Sequence, residues 1–193
     1  MRVTLLCHGS TAAVRSASFP ADEPLDERGV RESAGRVGTL GRHDEVRCSP
    51  ALRCRQTVDA LGVVACPDPL LAGCDHGSWA GRSLDEVGAS DPAGLRAWLT
   101  DPGFDGHGGE SLTDLVGRIG SWLDARPGPA HAVLGVCDAA VVRAAVVHAL
   151  QATPRSIWRI DVAPLSATLL VGEPGRWSLR ALHPPGARAP VRP

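Results

Sequence analysis

At 193 residues the chain has room for one domain with a substantial core, and no shift in composition marks a second. Its 20 basic residues, all arginine, balance 21 acidic ones to a net charge of −1, so no global field draws in nucleic acid or an anionic membrane. No stretch approaches the roughly 20 apolar residues that span a bilayer, and the apolar run after Arg2 ends at His8 without a signal-peptide pattern, so a soluble, cytoplasmic protein is expected.

Short apolar runs alternate with longer helical patterns, which predicts an α/β fold of three layers, α/β/α, around a mostly parallel sheet. A first strand over Arg2 to Cys7 is followed by a loop to Pro24. Asp26 then caps a helix running to about Gly41. A second strand covers Glu45 to Cys48. Pro50 opens the next helix, which carries Leu52, Arg53, Thr57 and Leu61 and stops near Gly62, and Val63 to Cys66 reads as a third strand.

Residues 67–109 form a loop-rich insertion over one end of the sheet, with short helices at Ser83 to Val87 and Pro92 to Leu99. Leu112, Leu115, Ile119, Trp122 and Leu123 recur at helical spacing within an amphipathic helix over Glu110 to Ala125. A strand over Ala132 to Cys137 and a helix over Ala139 to Leu150 come next. Strands are then predicted at Trp158 to Val162, Ala167 to Val171 and Trp177 to Leu182, the last two joined as a hairpin at Glu173-Pro174-Gly175. The domain covers 1–183, and the proline-rich tail 184–193 is expected to be disordered.

The end of the first strand and five segments after it carry the chemistry. The first strand ends in Cys7-His8-Gly9-Ser10-Thr11, and Pro24-Leu25-Asp26-Glu27-Arg28-Gly29 follows; next come Ser49-Pro50-Ala51-Leu52-Arg53-Cys54-Arg55-Gln56-Thr57 and Gly77-Ser78-Trp79-Ala80-Gly81 with Gly108-Gly109-Glu110-Ser111. The last is Val136-Cys137-Asp138-Ala139-Ala140-Val141-Val142-Arg143. In this order the segments resemble the signatures of the histidine phosphatase (phosphoglycerate mutase-like) superfamily, whose first strand ends Arg-His-Gly. The resemblance implies a phosphomonoester hydrolase that works through a phosphohistidine on small phosphorylated molecules or phosphoproteins, and needs no cofactor.

Carried over by motif, His8 takes the nucleophile position and Arg53 that of a phosphate-clamping arginine, whose planar fork suits two oxygens at once. Gly9 lets the backbone approach the phosphate closely. Three other positions depart from the pattern. Cys7 stands where the second clamping arginine belongs, Gly73 where the acidic glutamate belongs, and Asp138 where the second histidine belongs. An ionised Asp138 beside a phosphoryl group would cost several kcal/mol at short range and low dielectric. Two compensations are open: Asp138, kept protonated by its surroundings, or else Asp75 or His76, donates the proton, and Arg15 re-enters the pocket as the missing cation. Hydrolysis is favoured over mutase transfer, which needs more cations to hold a second phosphate.

Two further readings stay open. Cys7, Cys48 and Cys137 each end a strand, and strand carboxyl ends converge on the binding crevice of α/β sheets. A Zn²⁺ or similar late first-row ion could therefore be held by Cys7, His8, Cys74, Cys137 and Asp138, although reduced structural thiols explain cytosolic cysteines equally well. Alternatively the site binds a phosphorylated ligand without turning it over, as a pseudoenzyme whose exposed Trp79 and Trp98 supply a contact surface.

Overall fold

The computed structural model describes residues 1–125 and 131–185. One sheet organises them, in the strand order β3-β2-β4-β1-β5-β6. Its centre is β1 (Arg2–Cys7) beside β4 (Ala132–Cys137), paired in parallel from Arg2 opposite Ala132 to Cys7 opposite Cys137. Both are near-continuous apolar runs because both of their faces are covered. On one side of them β2 (Glu45–Cys48) and β3 (Cys66–Pro67) continue the parallel set. On the other, β5 (Ala167–Glu173) runs antiparallel to β1 and forms a hairpin with β6 (Arg176–His183), turning at Pro174-Gly175.

Side chains alternate across each strand, and the two faces fill separately. Val3, Leu5 and Cys7 pack under α6 (Leu112–Asp124) and α7 (Ala139–Ala149), together with Trp122 and Val142. Leu6, Cys48 and Val136 face the other way, onto Cys54, Val58 and Leu61 of α3 (Leu52–Leu61), which packs in turn against α2 (Glu27–Ala34). The expected three layers are present.

Several boundaries differ from expectation for identifiable reasons. Asp26 caps α2 as predicted, accepting from the Gly29 N–H at 2.7 Å, but the helix ends at Ala34, because Gly35 takes the C-cap and Gly38 and Gly41 follow in left-handed conformations. Pro50 lies ahead of α3 and not in its first turn; the orphan N–H of Leu52 is met by the Asp22 carboxylate at 2.6 Å instead. Gly62 closes α3 at φ +66°, and 63–65 serve as the turn, so the third strand begins only at Cys66. Trp158 to Val162 is no strand. Pro154–Arg159 is a 3₁₀ helix packed on α7 through Ile157, and the second edge of β1 is already taken by β5. The short helix α1 (Ala12–Arg15), capped by Thr11, lies in what reads as loop.

Residues 67–109 carry the predicted short helices as α4 (Leu84–Ser90), capped by Ser83, and α5 (Pro92–Thr100), along with two 3₁₀ turns, Pro69–Leu71 and Gly77–Trp79. Phe19, Trp79, Val87 and Trp98 form a small core of their own beneath them. The expected disorder of 186–193 lies outside the described residues. No helix among the described residues is long and apolar enough to cross a membrane.

Candidate active site

The carboxyl ends of β1, β2 and β4 point to one end of the sheet, and His8 is the first residue past β1. Its backbone N–H donates to the Cys137 carbonyl at 3.0 Å, tying it to the end of β4. The ring is buried, with Nδ1 2.7 Å from the Gly9 carbonyl and Nε2 3.3 Å from Asp138 Oδ1. A carbonyl can only accept, so Nδ1 carries a hydrogen and Nε2 is the nitrogen presented to the cavity. With Nδ1 so committed, Nε2 lies within reach of a carboxylate oxygen, a geometry that lets a proton pass between the two atoms.

Gly9 answers to a different neighbour than the sequence suggests. A Cβ there would lie 2.8 Å from Ser33 Oγ and 2.9 Å from the Gly29 carbonyl, so α2, and not open space for a phosphate, demands the glycine. The Gly9 N–H already donates to Thr57 Oγ1 at 3.1 Å, and Thr57 donates in turn to the Arg53 carbonyl at 2.7 Å.

Arg53, on the first turn of α3, is buried and heavily committed. Its Nε donates to Asp138 Oδ1 at 2.6 Å, and Nη1 donates to the Ala21 carbonyl at 2.6 Å and lies 3.6 Å from Glu23. Asp138 is the N-cap residue of α7, yet its carboxylate makes no cap hydrogen bond. A capping aspartate stabilises a helix by about 1 kcal/mol. Here the side chain turns to His8 and Arg53 instead.

Burial pushes the Asp138 carboxyl up, but the His8 hydrogen bond and the Arg53 charge outweigh it and hold the group below its ordinary range. The resting site therefore favours the ionised form of Asp138, and of the compensations left open by the sequence a carboxyl kept protonated by burial alone is not the one found. Its Oδ2 is buried without a hydrogen-bond partner among the described residues. A Cβ on Gly73 would sit 2.7 Å from that oxygen and 3.4 Å from Arg53 Nη2. The Asp138 carboxylate thus occupies the space that a side chain at position 73 would need. Arg118 fixes this segment by donating to the carbonyls of Leu70, Ala72 and Gly73 while its guanidinium pairs with Glu110.

Several other candidates lie elsewhere. Arg15 does not enter the pocket; it pairs with Asp26 on an exposed face, because α1 points it outward. Asp75 is exposed, and its carboxylate accepts from the Gly77 N–H in a local turn. His76 does line the cavity, but burial among Phe19, Trp98 and His107 pulls its imidazole down to about 4, so it is neutral and poorly suited to donate a proton. Trp79 and Trp98 are 2% and 9% exposed and belong to the small core, so neither offers an outer surface to a partner, although Trp98 lines the cavity.

The cysteines end their strands as expected, but they do not form a ligand set. Burial, with Asp138 adding to it, pushes the Cys7 thiol up to about 12; burial does the same at Cys74 and raises Cys137 well above its ordinary value. Among the described residues no three His, Cys, Asp or Glu side chains converge as a metal site would require.

A cavity of about 800 Å³ opens from Cys7, His8, Gly73, Cys74 and Asp138. Sequence reasoning missed one residue on its wall. Arg143 lines the cavity, and its Nε is buried with no hydrogen-bond partner among the described residues. The signal was present, since Ala139 and Arg143 are four apart on α7 and therefore share a face, and Ala139 lines the same cavity. Glu23, which pairs with Arg53, also gave no motif to find it by.

Comparison with known proteins bears on the fold and the family. Phosphoserine phosphatase 1 of Hydrogenobacter thermophilus is 28% identical over 110 residues, 53% of this chain and 52% of that protein. A bifunctional protein of Mycobacterium tuberculosis is 32% identical over 127 residues, 61% of this chain but only 35% of its own length, so the match spans about a third of that relative. The structure of the alpha-ribazole phosphatase of Shigella flexneri superposes with a TM-score of 0.84 at 20% identity, covering 99% of this chain and all of the other. The family model for branch 1 of the histidine phosphatase superfamily matches residues 3–184, and the chain belongs to that family.

Proposed function

We propose that the protein is a phosphomonoester hydrolase that works through phospho-His8, with Asp138 carrying the proton. The observation behind this reading is the 3.3 Å contact between His8 Nε2 and Asp138 Oδ1, close enough for a proton to pass from one to the other. A bound phosphate brings negative charge next to the carboxylate, which raises the affinity of Asp138 for that proton. The transfer frees the Nε2 lone pair and leaves Asp138 neutral, removing the repulsion expected from an ionised carboxylate.

The steps then balance. Nε2 forms the N–P bond as the ester P–O bond breaks, and the leaving oxygen takes the proton from Asp138. Water next attacks phosphorus, its proton passes to Asp138, and the P–N bond breaks to release inorganic phosphate. Nη2 of Arg53 and the unpartnered Arg143 are the cations available to the phosphoryl oxygens, with Arg143 supplying what Cys7 does not. Gly73 carries no acid, and Asp138 fills its space. The phosphoserine phosphatase among the relatives supports a small phosphorylated substrate.

One observation favours a second reading. Nε and Nη1 of Arg53 are already bound to protein groups, as in a site that holds a phosphorylated ligand without turning it over. Turnover of phenyl phosphate by wild type and His8→Ala separates the two. Hydrolysis that falls by about 10⁴-fold in the variant is expected. Binding without hydrolysis in wild type would leave the ligand-binding reading.

A further inference from the structure

The cavity is larger and less polar than a phosphoryl group requires, and its composition points to what lies beyond the phosphate. About 800 Å³ falls within the range of sites that enclose a whole small molecule, roughly 300–1,000 Å³. Its inner wall is Phe19, Leu95, Trp98, Ile157 and Val162, contributed by the loop after α1, by α5, and by the segment that follows α7. Trp98 and Trp158 meet edge to face at 4.4 Å and join α5 to that segment across the opening.

The rim continues the same chemistry. Val14, Leu84, Leu99 and Trp158 are 48%, 38%, 49% and 38% exposed, and all four line this cavity. Large exposed apolar side chains are ordinary when scattered singly. Here four of the ten such residues among the described part of the chain gather at one mouth, from four separate elements. The charged groups beside them are mostly acidic. Glu23 is committed to Arg53, Asp85 stands at the mouth, and Arg143 faces Cys7 near the floor. A second anionic group on the substrate, such as the carboxylate of phosphoserine or phosphoglycerate, finds no cation at the mouth among the described residues that line it.

We propose that the site takes phosphate monoesters of bulky, uncharged, apolar alcohols, with the phosphoryl group at His8 and the alcohol against the wall of Phe19, Leu95 and Trp98. The inference rests on the phosphomonoester reading of His8. Only the apolar wall distinguishes it from a site for small polar phosphates.

A ladder of ethyl, butyl and hexyl phosphate tests it, read as kcat/KM with wild type and as calorimetric affinity with His8→Ala. Each buried methylene should raise either quantity by about twofold to fourfold. Hexyl phosphate should then exceed phosphoserine by at least tenfold, and Leu99→Asp should flatten the ladder. A ladder flat in both measurements, or phosphoserine equal to hexyl phosphate, overturns the inference and leaves hydrolysis at His8 untouched. A rising affinity ladder with no turnover in wild type keeps the apolar site and overturns the hydrolase reading. If octyl alcohol or a second copy of the chain occupies the mouth as well as hexyl phosphate does, the phosphate is not what the site selects, and the inference fails.

Discussion

The floor and the mouth of the cavity are built on opposite principles. At the floor polar side chains are held in place, His8 by Gly9 and Asp138 and Arg53 by Asp138, Ala21 and Glu23, while Asp138 Oδ2 and Arg143 Nε stay without a partner among the described residues. The mouth is made of Val14, Leu84, Leu99 and Trp158, which impose size and apolarity but almost no direction. The floor therefore fixes which bond is attacked, and the mouth fixes which alcohol is presented. Asp138 is the hinge of this division, because it gives up a helix cap to hold His8 and Arg53.

The largest effect expected on the floor follows from that role. Asp138→Asn keeps the shape but cannot carry the proton, and should lower kcat for phenyl phosphate by about 10²- to 10⁴-fold, measured by steady-state assay across pH. An unchanged kcat would move the proton carrier elsewhere.

The wall makes a separate contribution, to stability. His76 titrates near 6.5 in the unfolded chain and at about 4 in the folded one. Between those values the unfolded chain binds a proton that the folded protein refuses, so stability falls as pH drops from about 6.5 to 4, by on the order of 3 kcal/mol. Asp138, held below its ordinary value, is also lost as pH falls, but only below the ordinary carboxylate range. Urea denaturation of wild type and His76→Leu at pH 7 and pH 4.5 separates the two, and the variant should show the shallower decline over that interval.

Arg143 sharpens the line between floor and mouth. Its Nε has no partner to lose, so Arg143→Ala should leave Tm near that of wild type while lowering kcat/KM by about tenfold to hundredfold, the worth of one charge-assisted hydrogen bond. The smallest effect is at Gly73. Gly73→Ala pushes a methyl against Asp138 Oδ2 and should destabilise by about 1–3 kcal/mol. In an Asp138→Ala background the same change should cost less, and strict additivity in that cycle would break the link between the two positions.

How much of this the sequence disclosed depended on whether a residue's role is local. The apolar runs of β1 and β4 and the turns after them gave His8 and Asp138, since strand ends and turn residues are read within a few positions. Arg53 followed from its motif. Arg15 stays out of the pocket because it pairs with Asp26, 11 residues on, a contact that only the folded chain shows. For Trp79 and Trp98 a contact surface and a core role both stayed open in the sequence, because the small core they fill draws on Phe19, about 60 residues before Trp79 and farther still from Trp98. The charge of Asp138 stayed open in the sequence for the same reason: burial was foreseeable, but the direct bond from Arg53 was not. The space shared by Gly73 and Asp138, 65 positions apart, exists only in three dimensions.

The most direct measurement is a rapid-quench reaction of the protein with phenyl phosphate under conditions that preserve phosphohistidine, followed by peptide mass mapping. A phosphoryl group on the peptide that contains His8, formed and lost at rates matching turnover and absent from His8→Ala, is the expected result. Turnover that proceeds with no phosphoryl group ever detected on His8 would contradict it.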